Sequence, residues 1–466
     1  MSSLARLPAE LLVPIAKHLD TADAGDLRLA CKATNAALTD WYRSVHYAYL
    51  DATATEAGVA ALAEIAARPE LAKYVREIGL TAHLAHDPGQ QPAQDDPLGT
   101  ADAGLGPALG AVLARLPRVE RLVVHGVHWT QPRDADAIRP SASSAPLGLE
   151  QCFALQRGPQ AEHIVTGAFR ALLFALGDAH AARAEAGYAP IRELHYCSLT
   201  GLGNGVFELG ADLRARLEPA LARIERLHLV LAPAAEPNND AVEFLKLCGN
   251  VTTLVLSSVP HCFPSGLTCP LNWMSDSETP AVFPNLVSLH LTDTMVHIDV
   301  VFRLLTKCRR LEKMAFTQFC LMEDDSIATD DDDDKWLGAV WYSLLAYLSE
   351  EHKKSPLPLA ELLVEYLDEL TLGANRKDAV WFVDSLTTGE RTDKVTVYAA
   401  DDHVHFDWRG RLPYDGRRYL HNSDNIFERA ALLFNFVPPR VSHHVPAGFQ
   451  FLFSSGQLAA NDIFGR

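Results

Sequence analysis

Three groups of side chains in this 466-residue chain have the types that site chemistry needs. His403, His405 and Asp407 alternate, so a strand would put all three on one face, as some metal-dependent hydrolases require. Those sites also need supporting histidines and carboxylates on a Gly-rich strand-loop frame, and no such set accompanies the run; a solvent-facing polar edge strand explains it with less. Glu323, Asp324 and Asp325, with the unbroken Asp330 to Asp334, form an acidic loop able to attract calcium or a basic segment. Calcium loops alternate their oxygen ligands around a turn-forming glycine, which this run lacks, so it reads as a solvated insertion. His261, Cys262 and Cys269 share one Pro-rich loop without the second cluster that a zinc site requires.

No Gly-rich phosphate loop, Gly-x-Ser-x-Gly elbow or kinase-type signature offers a nucleophile together with its base. The expectation is therefore a protein that is not an enzyme and uses no cofactor or metal. Composition narrows the partners. A formal charge of -18 and the lack of a basic run argue against nucleic acid. Hydrophobic content of 48% excludes wholesale disorder. The 8 cysteines include no Cys-x-x-Cys pair, so they read as reduced thiols. No apolar run long enough to span a bilayer and no signal-like N-terminus are evident, which predicts a soluble chain with no membrane partner, cytoplasmic and/or nuclear. The length calls for several domains or an extended array.

What must position any recognition surface is a short signature that keeps returning: apolar, two variable residues, apolar, one variable, apolar. It reads Val75, Ile78, Leu80; Val119, Leu122, Val124; Ile191, Leu194, Tyr196; Ile224, Leu227, Leu229; Val251, Leu254, Leu256; Leu286, Leu289, Leu291; Leu311, Met314, Phe316; and Leu367, Leu370, Leu372. A weaker ninth copy is read at Val395 and Val397. The alternation predicts a short strand per copy. A helical pattern precedes each full copy, over 56–67, 105–116, 166–182, 213–223, 240–248, 299–309, 336–348 and 359–366.

One strand and one helix per unit resembles a leucine-rich repeat. The spacing is irregular, short from Leu286 to Leu311 and long from Val119 to Ile191, whereas regular repeats run about 20 to 29 residues. The array is thus degenerate, and an unrelated α/β domain would also show short apolar runs preceded by helices. With strands in register, one exposed row would hold Gly79, Val123, His195, His228, Val255, His290, Ala315 and Thr371. Flanking positions add Arg121, Glu193, Arg226, Thr253, Ser288, Lys313 and Glu369. His195, Arg226, His228 and His290 are the expected substrate-binding residues, and histidines there would make recognition depend on pH.

Ahead of the repeats, Pro8 suits a first helical turn, and Leu11, Leu12, Ile15 and Leu19 recur at helical spacing, with Pro14 predicting a kink. Asp23 is read as the cap of a second helix from about Asp26 to Leu38. So short a helical pair buries little core and needs a covering partner. The order of Leu7, Pro8, Glu10, Leu11, Leu12, Ile15 and Leu19, then Leu27, Arg28, Leu29, Cys31, Lys32 and Trp41, resembles the F-box.

That resemblance implies docking on the Skp-type adaptor of a ubiquitin ligase, and through it on a cullin, by Leu7, Pro8, Leu11, Leu12, Ile15, Leu19, Leu27, Leu29 and Cys31. Ala24 and Gly25 stand where the family has a larger apolar residue and a helix former, and Ala30 where it has valine, so apolar contact area is lost. Together the segments resemble fungal-type F-box proteins with leucine-rich repeats. The expected fold is α/β: a helical F-box over 1–50, an irregular leucine-rich-repeat-like solenoid over 51–398, and a C-terminal cap over the aromatic-rich 399–466. The implied role is substrate receptor of a Skp/cullin/F-box ligase with an unknown protein target. The alternative is a repeat scaffold that recruits no ligase.

Overall fold

In the computed structural model, residues 7–85, 98–130, 159–198, 201–232, 239–258, 283–292, 294–324, 361–372, 382–388, 394–398 and 405–408 are described. The chain divides into two units, Met1–Ile224 and Glu225–Arg466, each taken by itself below.

The first unit opens on three short helices whose boundaries are set by capping. Helix α1 (Ala9–Ala16) starts at Pro8, and Pro14 lies inside it. Helix α2 (Thr21–Leu29) is capped by Asp20, whose carboxylate accepts from the Asp23 N–H at 2.8 Å. Asp23 is thus the capped residue, not the cap. The single helix expected over 26–38 is broken at Cys31, where a new helix, α3 (Lys32–His46), begins. The reason is a reciprocal cap: the Thr34 N–H points at Cys31 Sγ at 3.4 Å, and the Cys31 N–H donates to Thr34 Oγ1 at 3.1 Å. Leu12, Ala16 and Leu38 form the core of this trio, with Leu7, Val13, Leu27, Ala37 and Trp41 packed against it.

Strands β1 (Tyr49–Thr53), β2 (Glu77–Ala85), β3 (Arg121–Thr130) and β4 (Glu193–Cys197) follow, all parallel and adjacent in chain order. Leu50, Ile78, Leu122 and Leu194 stand in one register row, and Ala52, Leu80, Val124 and Tyr196 in another. All eight are buried. Helices α4 (Glu56–Ala66), α5 (Pro69–Ala72), α6 (Leu98–Leu113), α7 (Pro159–Glu185) and α8 (Ala211–Leu221) fill the connections. Successive long helices pack on one another, α4 on α6, α6 on α7 and α7 on α8, so they form one layer. Gly106 makes the α6–α7 approach possible, since a Cβ there would lie 2.7 Å from Phe174 Cβ. Phe169 of α7 meets Tyr196 of β4 edge-on, with ring centroids 5.7 Å apart. The Ile164–Glu185 part of α7 is long and apolar enough to cross a membrane, a length not evident from the sequence; here it is the mostly buried centre of the helical layer.

The recurring signature has a recurring backbone cause. A tight turn closes ahead of several of the strands, as from the Val75 N–H to the Ala72 carbonyl or from the Leu116 N–H to the Leu113 carbonyl. Two consecutive N–H groups then share one carbonyl of the preceding segment. Arg76 and Glu77 both donate to Ala48, Glu120 and Arg121 to Arg76, and Arg192 and Glu193 to Glu120.

The second unit repeats these bonds: Thr252 and Thr253 donate to Glu225, Val287 and Ser288 to Thr252, Glu312 and Lys313 to Val287. Its parallel strands β5 (Arg226–Leu231), β6 (Thr253–Ser258), β7 (Ser288–Thr292), β9 (Lys313–Asp324) and β10 (Glu361–Leu372) run in chain order, and the short β8 (Met295–His297) pairs with β9. Helices α9 (Asn239–Leu247) and α10 (Ile298–Lys307) bear out two predicted helices. The pattern over 359–366 does not form a helix: residues from Glu361 join β10. Register also relocates the eighth copy. Leu362 and Val364 pair with Met314 and Phe316, whereas Leu370 and Leu372 pair with Met322 and Asp324, so Thr371 leaves the predicted row. The ninth copy is no repeat, because β11 (Phe382–Thr388), β12 (Lys394–Tyr398) and β13 (His405–Trp408) pair antiparallel. The helix expected over 336–348, and nearly all of the cap expected over 399–466, lie outside the described residues.

Candidate functional site

Because the buried rows face the helices, the alternate residues of the first unit make a polar face. Its first row is Tyr49, Glu77, Arg121 and Glu193; its second Asp51, Gly79, Val123 and His195; its third Thr53, Thr81, His125 and Cys197. Arg121 joins two strands, donating from Nη1 to Glu77 Oε2 at 3.0 Å and from Nε to Glu193. His195 Nε2 lies 3.4 Å from the same Glu193 oxygen. Burial pushes the Glu193 carboxyl up, but the bonds from His195 and Arg121 outweigh it and hold the group at about 2. At Glu77 burial wins over Arg121, and the pKa is raised.

Gly79 is the pivot of the face. The Tyr49 hydroxyl and His125 Nε2 reach across β2 from either side and lie 2.6 Å apart. A Cβ on residue 79 would sit 2.7 Å from that hydroxyl, 3.0 Å from Nε2 and 3.1 Å from Asp51 Oδ1. Asp51 accepts from the Thr81 hydroxyl, whose oxygen is 2.8 and 2.9 Å from the two carboxylate oxygens. A β-bulge places Gly126 directly after His125: His125 pairs with Thr81 and Val127 with Ala82. Sequence reading reached Glu193, Arg121 and His195 but missed Tyr49, Asp51 and His125. Strand β1 carries Ala52 where later copies have the larger Leu80, Val124 and Tyr196, so the signature is weak there.

None of this assembles a nucleophile. Burial pushes the thiols of Cys197 and Cys308 up to about 12 and holds them protonated. Burial, and then the carboxylates of Asp51 and Glu77, raise the Tyr49 phenol.

His195 lies in the first unit; in the second, His228 and His290 share a row with Val255 between them, and Arg226 stands exposed in the adjoining row. His290 does not face solvent. It is buried, with Nε2 3.0 Å from Thr292 Oγ1, and burial pushes its pKa down to about 4, so it is a neutral imidazole. Of the sharper chemical leads, His405 and Asp407 lie on β13 in backbone register with Tyr398 and Thr396, and Glu323 and Asp324 end β9. His403, Asp325, Asp330 to Asp334, His261, Cys262 and Cys269 lie outside the described residues.

The helical trio presents the other surface. Leu11, Ile15, Leu19 and Leu29 are 52%, 38%, 37% and 66% exposed, too open to belong to any core, and Val45 joins them as an exposed large apolar residue. Pro8 is exposed at the N-cap of α1. Other predicted adaptor residues turn inward: Leu12 is core, Leu7 and Leu27 pack on it, and Cys31 caps α3. Ala24 is buried and a Cβ on Gly25 would meet the Tyr42 hydroxyl at 3.4 Å, so these small residues serve the α2–α3 contact. Neither a protein-family model nor a curated protein matches the chain.

Proposed function

We propose that the chain is the substrate-recognition subunit of a Skp/cullin/F-box type ubiquitin ligase, acting in the cytoplasm or nucleus, with its helical trio on the adaptor and its sheet faces on a protein target. The observation that carries this reading is the exposure of Leu11, Ile15, Leu19 and Leu29 on a trio whose own core is closed by Leu12, Ala16 and Leu38. Fully covering such side chains is worth about 1.5–3 kcal/mol each, enough for a stable complex once ordering costs are met. Parallel strands in chain order, the single layer of helices in the first unit and the repeated strand entry support a leucine-rich-repeat-like solenoid as the target-binding part.

The test is binding of the full chain to a purified Skp-type adaptor, beside a variant carrying Leu11→Ala, Ile15→Ala and Leu19→Ala. A loss of at least 30-fold in the variant, with unchanged unfolding, is the expected result. Failure of the unmodified chain to bind overturns the reading. The inward turn of Leu7 and Leu27 narrows the outer apolar surface and favours a second reading, a scaffold that binds partners through its sheet faces without recruiting a ligase.

A further inference from the structure

Tyr49 and His125 stand on strands that are not neighbours, and they meet above β2 because residue 79 is glycine. At 2.6 Å the hydroxyl and Nε2 need a single hydrogen between them. Tyr49 keeps its own proton, since burial and then Asp51 and Glu77 raise its pKa. Among the described residues its hydroxyl has no second hydrogen-bond partner. Its hydrogen therefore points at Nε2, and neutral His125 carries its hydrogen on Nδ1.

Protonation adds a hydrogen on Nε2, and two hydrogens cannot share one gap. The Tyr49 hydrogen must swing away, and Asp51 Oδ1 borders the same point above Gly79. We propose that the Tyr49–His125 arch is a proton-responsive gate on the polar face. In its neutral state the hydroxyl donates to the imidazole. In its protonated state the imidazolium donates to the hydroxyl, the hydroxyl turns toward Asp51, and the face gains a positive charge at its centre. Among the described residues, the charged and titratable groups on the same face as His125 are Tyr49 and Asp51 from β1, Glu77 from β2, Arg121 on β3, and Glu193, His195 and Cys197 from β4; the helices pack on the opposite face. Histidine is the side chain whose ordinary range makes such a change fall near neutral pH. The bearing of the gate on target capture rests on the reading of the polar face as the target surface; the gate itself does not.

The test is imidazole nitrogen NMR of the full chain, with His125→Gln to assign the signals and Tyr49→Phe as the second variant. At pH 8 the expected form has hydrogen on Nδ1 and none on Nε2, and Tyr49→Phe loses that preference. On acidification to pH 5 both nitrogens become protonated and the Gly79 amide shifts with the same midpoint, a shift absent from His125→Gln. Hydrogen on Nε2 at pH 8, or a Gly79 amide that does not follow His125, overturns the proposal. Adaptor binding measured on the same samples separates the two readings: its absence removes the receptor function and leaves the spectra of the arch as they are.

Discussion

Arg183 is the most consequential buried charge of the first unit, and replacing it by methionine is expected to cost about 4 kcal/mol. Its side chain is buried near the end of α7. Its guanidinium donates to four backbone carbonyls, at 2.7 Å to Leu113, 2.5 Å to Leu116, 2.8 Å to Val119 and 2.6 Å to Ala189. The first three belong to the end of α6 and the turn into β3, where a helix leaves carbonyls without internal donors. Bonds from a charged donor contribute about 1.5–3 kcal/mol each, so four give a gross stabilisation on the order of 8 kcal/mol. Against this stands the cost of burying a cation with no carboxylate beside it among the described residues. Burial pulls its pKa down to about 10 from 12.5, a difference on the order of 3 kcal/mol.

The net falls in the range found when one member of a buried polar set is removed. Urea unfolding followed by far-ultraviolet circular dichroism reads it directly, and hydrogen exchange at the end of α6 localises it. Lysine, with a point charge in place of a planar fork, should retain about half of the loss or less. If Arg183→Met unfolds at the same urea concentration as the unmodified chain or higher, the recovered desolvation outweighs the four bonds and the reasoning fails.

Gly79→Ala should break the Tyr49–His125 contact and cost about 1–3 kcal/mol; the cost should shrink in a Tyr49→Phe background, and a thermal double-mutant cycle measures it. In the helical trio, Leu12→Ala should destabilise by about 2–5 kcal/mol, while Leu11→Ala, at an exposed site, should change stability by less than about 0.5 kcal/mol yet weaken adaptor binding; unfolding and binding assays on both variants separate the two roles. His290, held at about 4, takes up its proton at lower pH in the folded chain than in the unfolded one. Its contribution is therefore complete above the ordinary histidine range near pH 6.5 and is lost as pH falls from there toward 4, by up to about 3 kcal/mol. Urea midpoints at pH 7.5 and 4.5 should differ less in His290→Gln than in the unmodified chain.

Much of this architecture is legible in the sequence because it rests on local periodicity. A strand that buries alternate residues must write Ile78 and Leu80, or Leu254 and Leu256, two apart, and the tight turn before it adds an apolar residue three positions earlier. Every full copy from Val75 to Phe316 that falls on described residues sits on a parallel strand; helices α4, α8, α9 and α10 lie close to their predicted spans, whereas α6 and α7 begin at Leu98 and Pro159, well ahead of the predicted starts at 105 and 166. The reading fails where periodicity is shared by two structures. The pattern over 359–366 fits a helix, but pairing with β9 made it a strand and moved the eighth copy by a register that no local rule contains. The break at Cys31 was missed because a cysteine is an uncommon cap; Thr34 three residues on was the available signal.

The sequence by itself determined which apolar residues of the signature strands from Ile78 to Phe316 are buried, since that burial follows a short repeat of apolar residues along the chain. Tertiary structure alone decided which polar side chains meet and which apolar side chains of the first helix turn inward. Tyr49, Gly79 and His125 become one arch through strand register, the Arg183 guanidinium reaches carbonyls about seventy positions earlier, and Leu12 turns inward where Leu11 does not. The physical reason is that hydrophobic patterning is a property of neighbours in sequence, whereas hydrogen bonds across a sheet depend on which strands lie side by side and on the space that a single missing Cβ leaves between them.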